Sequence, residues 1–143
     1  TLNMVKRRKH GYLQALRNND IPVDRELVAC DKIDFDVARE NTIRVIENAR
    51  PDAILAFNDI LTYAAFEATR SSNLRIPQDI SIIGFTDGDT AAFVTPRLSA
   101  IMDQAHEQGV KACELLMRSI QGDEKVYKEV VPMILKIRES SEK

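Results

Sequence analysis

The sequence predicts an α/β fold, a parallel sheet sandwiched by helices. Three observations carry that reading. The first ninety residues alternate helix-period and apolar segments in the order α-β-α-β-α-β. The apolar runs at 53–57 and 80–85 show no polar alternation, the pattern of strands covered on both faces. Both runs stop abruptly in polar residues at the same end, Asn58-Asp59 after the first and Thr86-Asp87-Gly88-Asp89 after the second.

Residues 5–18 read as a helix because Val5, Tyr12, Leu13 and Leu16 share a face, and Asn18-Asn19-Asp20 with Pro22 ends it. A short strand is expected at 27–30. Residues 36–48 form the second helix, with Val37, Ile43, Val45 and Ile46 apolar, and Pro51 separates it from the strand at 53–57. The third helix spans 59–71 and is closed by Asn73 and Pro77; the strand at 80–85 follows. The alternation then lapses. Pro96 breaks the chain before a short strand at 98–102. Residues 104–121 read as a strong helix, with Val110, Cys113, Leu116, Met117 and Ile120 opposite Lys111, Glu114 and Arg118, and Gly122 caps it. Residues 126–130 and 133–137 are strand-like. No internal repeat or low-complexity segment occurs.

The 143 residues are one domain's worth and enough to bury a core. With 44% hydrophobic residues and a net charge of −2, the composition excludes disorder and a chain that holds nucleic acid through charge alone. No apolar run approaches the roughly 18 residues of a membrane helix, and the opening TLNMVKRRKH has no signal-peptide pattern. A cytoplasmic chain with no membrane partner is the expectation. Cys30 and Cys113 have no CxxC spacing, and His10 and His106 stand alone, so reduced thiols, no metal and no cofactor are expected. An enzyme is not expected. There is no phosphate-binding glycine loop, no nucleophile elbow and no His beside a nucleophile motif. Asp87 and Asp89 lack the acids and lysine of a receiver-type phosphoryl site.

Right-handed crossovers bring the carboxyl ends of parallel strands to one edge, and ligands of open α/β sheets bind outside that edge. Asn58 and Asp87 therefore become candidate ligand residues. Capping competes with this, since Asn58 or Asp59 would suit the start of the third helix; a cap uses one residue of each polar run and leaves one over. The third helix raises a separate question. Ile60, Leu61, Tyr63, Ala64, Ala65, Phe66 and Ala68 spread around most of its circumference, so it is buried on more than one side, by a neighbouring helix or by a second copy.

Four stretches occur in the order seen in lactose-repressor-type (LacI/GalR) transcriptional regulators: RRKHGYLQAL, PDAILAFNDILTYAAFEATRSSNLRIPQDISIIGFTDGD, TPRLSAIMDQAHEQGVKACELLMRSIQGD and VVPMILKIRESS. The second is the most specific. The resemblance covers nearly the whole chain. It implies the C-terminal part of a two-lobed effector domain of the type I periplasmic-binding-protein-like fold, with the helix-turn-helix headpiece and most of the first lobe absent. Residues 1–97 and 131–143 would form the C-terminal lobe. Residues 98–130 would hold the hinge crossings and a segment, with helix 104–121, that belongs to the missing lobe.

By the same resemblance, the arginine three positions before the glycine of the first helix motif is Arg8, before Gly11. A guanidinium fork reaching ligand oxygens would give a reason for a cation early in that helix, where the dipole disfavours it; a solvated basic face is the competing reading. The asparagine of the ND pair is Asn58, whose amide both donates and accepts. Thr86 stands where the family has Asp directly after GF, so Thr86 or Asp87 would touch ligand. A ligand-facing aromatic before the second helix would be Phe35, with Ile33 and a core role for Phe35 as alternatives. Where a hinge Gln is usual, this chain has Asp103. Without a facing lobe these residues should be wet and exposed.

The function implied is an effector-sensing domain that binds a small polar molecule, a sugar or relative, between lobes and couples it to DNA through the missing headpiece. The chain alone should not bind DNA. A homodimer is expected, with Ile60, Tyr63 and Phe66 at its interface. The alternative is a transport-type sugar-binding protein of the same fold.

Overall fold

The computed structural model describes residues 2–29, 33–86, 89–123 and 125–142. In chain order these form α1 (Leu2–Asn18), α2 (Phe35–Ala49), β1 (Ala53–Ala56), α3 (Asp59–Ser71), β2 (Ser81–Phe85), a 3-10 turn (Asp89–Ala92), β3 (Ser99–Met102), α4 (Ala105–Ile120) and β4 (Ile134–Lys136). The sheet runs β1-β2-β3-β4; the first three strands are parallel and β4 is antiparallel to β3.

Local chemistry sets the helix ends. The Asp34 carboxylate accepts from the Val37 amide and starts α2. Asp20, Asn73 and Gly122 hold positive φ of 55°, 56° and 92° just beyond α1, α3 and α4. At each, the next amide turns back onto the helix: Ile21 onto Leu16 O, Leu74 onto Thr69 O and Asp123 onto Arg118 O. Asn, Asp and Gly suit that left-handed step, which is why these residues stop their helices.

The core lies between α3 and one face of the sheet. Ile82, Leu98, Ala100, Ile80 and Ile76 meet Phe66 of α3 and Ile46 of α2. Each large apolar side chain buried there contributes about 1.5–3 kcal/mol. Gly84 pairs with Ala56 on one side and Ala100 on the other. That row of small residues lets α3 settle close, since a Cβ on Gly84 would lie 2.3 Å from Thr62 Cγ2. The C-terminal segment clasps the same core. The Ser140 hydroxyl donates to Ile82 O at 2.6 Å and accepts from the Ser99 amide at 2.8 Å, while Arg97 and Glu139 pair at 2.7 Å.

Two strand expectations fail. Residues 27–29 form no strand, Cys30 lying outside the described residues, and 126–130 is irregular with Val126 99% exposed. Both runs have the right residue types, but neither meets a neighbour to build a ladder with, and a strand exists only as a pair. Part of the apolarity of α3 is covered within the chain, by the sheet on one side and by α2 packed along another. Phe66, expected at a dimer interface, is instead 6% exposed in the core, because the sheet-facing side of α3 carries it. Ile60 remains exposed and Tyr63 half-buried.

The other elements are thinly covered. No residue of α4 is buried, and Ile120 on its apolar stripe is 69% exposed. Leu55, on the sheet face opposite α3, is exposed as well.

Candidate ligand-binding edge of the sheet

Strand register puts a cluster at the carboxyl edge. Ala56 pairs with Gly84 and Gly84 with Ala100, all on the α3 side. The next residues, Phe57, Phe85 and Ile101, therefore point to the opposite face. The Phe57 and Phe85 rings meet edge to face, with centroids 6.0 Å apart and planes at 78°.

Arg8 of α1 reaches onto this pair. Its guanidinium carbon lies 4.1 Å from the Phe85 ring centroid, and Nη1 donates to Phe57 O. A guanidinium over an aromatic face is favourable by about 0.5–2 kcal/mol. Partial burial pulls the Arg8 pKa below its ordinary value, and the carboxylate of Asp103 acts in the opposite sense. The desolvation marks a cation held in a half-dry place rather than on a solvated face. α1 begins at Leu2, so the cations at 6–9 lie beyond its first turn, and the penalty expected from the helix dipole falls away. The expectation of a fully wet site is corrected for Arg8 and Asn58, both half-buried.

Asn58 caps α3. Its Oδ1 accepts from the Leu61 amide at 2.8 Å, and its backbone carbonyl accepts from the Thr62 amide and hydroxyl. Thr62 is the residue seated against Gly84, so the cap is held in place by the packing of α3 on the sheet. Capping uses only the side-chain oxygen. The Nδ2 group has no protein partner among the described residues and remains available at the strand end.

Thr86 is 4% exposed, and its amide donates to Ile101 O at 3.2 Å. It serves to tie the end of β2 to β3, the opposite of the exposed position expected of a ligand contact. Asp87 lies outside the described residues. Phe35 opens α2 and is exposed; since α2 runs back to the start of β1, topology sets Phe35 at the carboxyl edge of the sheet.

Sequence reasoning singled out Arg8 and Asn58, which the structure brings to one edge, but not Phe57 or Phe85. The signal was present. Each phenylalanine immediately precedes the polar run at its strand end, and parallel pairing forces both onto one face.

Residues 3–141 match a sequence family described as a periplasmic binding protein-like domain. The HTH-type transcriptional regulator DegA of Bacillus subtilis is 31% identical over 137 residues, 95% of this chain and 41% of that protein. The HTH-type transcriptional repressor CytR of Escherichia coli is 31% identical over 116 residues, 80% of this chain and 34% of that protein. The chain thus spans less than half the length of these relatives. Among solved structures, a regulatory protein of the LacI family from Chloroflexus aggregans superposes with a TM-score of 0.85 at 31% identity, covering 94% of this chain and 50% of that one. A complex of the transcriptional regulator CelR with cellobiose gives a TM-score of 0.82 at 26% identity, over 94% of this chain and 42% of that one. The chain belongs to the periplasmic binding protein-like domain family, and the proteins it is similar to include HTH-type transcriptional regulators and a regulatory protein of the LacI family.

Proposed function

We propose that this chain is the ligand-sensing part of a bacterial transcription regulator and takes a small, hydroxyl-rich molecule at the carboxyl edge of its sheet. One observation carries the reading: a stacked, partly desolvated guanidinium from Arg8 lies on an aromatic floor and bonds to Phe57 O, at the strand end where the next residue, Asn58, keeps a spare amide donor. A polyol needs donors, acceptors and an apolar surface for its C–H faces, because each buried hydroxyl left unpaired costs about 1–3 kcal/mol. Asp87 would supply the acceptor for two hydroxyls, and Phe35 an aromatic flank. Thr86 would act by fixing the strand end. The structural neighbour solved with cellobiose supports a sugar or a relative of one.

Residues 1–97 and 131–143 act as one lobe in this reading, and 98–130 cross the hinge and carry α4 to the other. The unburied apolar stripe of α4 supports that division. A ligand that favours the closed arrangement of the lobes shifts their population, and so the spacing of the DNA-binding heads of the longer protein. Two copies pair through the outer side of α3, at Ile60 and Tyr63. No chemistry is done on the ligand, DNA is held elsewhere in the longer protein, and the site of action is the cytoplasm. Relatives named as HTH-type regulators favour this over a transport protein. No helix among the described residues is long and apolar enough to cross a membrane.

The test is a thermal-shift screen of sugars, nucleosides and sugar phosphates. A true effector at one hundred times its Kd adds about 2.7 kcal/mol of stability, and that gain should vanish in Arg8→Ala. Hits unaffected by substitution at both Arg8 and Asn58 would move the site elsewhere.

A further inference from the structure

We infer that Asp103 sets the charge selectivity of this edge, making the Arg8 site accept neutral, hydroxyl-bearing ligands and turn away phosphorylated ones. The inference deepens the proposed ligand-sensing role and rests on it for the identity of the wild-type ligand. Its geometry comes from the sheet. Phe85 pairs in parallel with Ile101, so Asp103, two residues on, falls on the face that carries the Phe85 ring. That is the ring Arg8 covers.

The backbone on either side of Asp103 is held. Met102 pairs with Ile134, and the Gln104 side chain donates to Pro132 O at 2.6 Å, joining the two chain crossings. Asp103 is exposed and forms no ion pair within 4.0 Å of Arg8. Its carboxylate therefore stands off from the guanidinium while its field still acts on it, opposing the effect of burial.

An isolated arginine fork on an aromatic shelf is a ready phosphate receptor. A carboxylate in its neighbourhood repels a phosphate dianion, while a neutral hydroxyl is not repelled and can still take the guanidinium's hydrogen bond. At separations near the Debye length, the repulsion of one carboxylate changes the affinity for such an anion by about three- to tenfold.

Inorganic phosphate is the probe, titrated by NMR into the wild-type chain and variants at low ionic strength. Asp103→Asn should bind phosphate about three- to tenfold tighter than wild type, and added salt should erase the gain. Asp103→Glu should stay near wild type. Arg8→Gln/Asp103→Asn should lose the gain. Glu67→Gln, on the exposed side of α3, makes the same change in net charge and should leave phosphate binding unchanged. The inference is overturned if Asp103→Asn binds no tighter, if the gain survives without Arg8, or if Glu67→Gln reproduces it. Failure of the ligand-sensing reading would show separately, as sugars that give no Arg8-dependent thermal shift.

Discussion

Two regions of this chain contrast. The unit of β1, β2, β3, α2 and α3 owns a closed core, with Ile82, Leu98 and Ala64 fully buried and Phe66 nearly so. The flank of α4, β4 and the segment between them is also patterned with apolar residues, yet buries none of α4 and leaves Leu135 and Ile137 open. Amphipathic pattern alone forms a helix, but it does not supply the surface the helix is patterned for. The candidate site lies on the boundary between the two regions. Asn58 belongs to the packed unit, Arg8 reaches in from a loosely covered helix, and Asp103 stands at the crossing into the open flank.

The contrast can be broken most strongly at Phe66. Phe66→Ala should cost about 3–5 kcal/mol in urea denaturation, whereas Ile120→Ala, at an open position of α4, should change stability by less than about 0.5 kcal/mol. Comparable losses at both would mean that α4 is packed. Gly84→Ala is the next largest effect. The added methyl meets Thr62 at 2.3 Å, so overpacking of about 1–3 kcal/mol is expected. Thr62→Ala removes the two nearest atoms and should recover part of that loss in the double variant. Additive losses would show that α3 shifts away instead of clashing.

The clasp gives the smallest effect and has a defined sign. The hydrogen bonds from Arg97 hold the Glu139 pKa below its ordinary value of 4.5. A carboxylate depressed on folding stabilises above its unfolded pKa, and that contribution is lost as pH falls through the lower folded value. Glu139→Gln should therefore flatten the acid limb of the stability profile below about pH 4.5, with little change at high salt, where exposed pairs are screened. An unchanged acid limb would remove the pair from the account.

Helices were legible in the sequence because their causes are local. The apolar spacing of α2 and α4 and the terminators Asp20, Asn73 and Gly122 act within a turn or two of themselves. Strands were legible only where a partner exists. Residues 53–57 and 80–85 pair, while 27–29 and 126–130 carry the same residue types and stay irregular. The site was half legible. Arg8 and Asn58 stand out by residue type and motif, whereas Phe57 and Phe85 acquire a role only through register, which no window of sequence contains. Phe66 was misplaced because helix composition does not say which of two apolar sides meets the sheet.

The proposed function gives Asn58 two separable roles, capping α3 through Oδ1 and binding ligand through Nδ2. Asn58→Asp keeps an oxygen at the cap and deletes the donor. The direct measurement is calorimetric titration, on wild type and Asn58→Asp, of the sugar-class ligand found by thermal shift, with the melting temperature of each sample read alongside. The predicted result is affinity weakened by roughly ten- to a hundredfold with an unchanged melting temperature. Unchanged affinity in a folded Asn58→Asp would contradict the claim and leave Asn58 a helix cap alone.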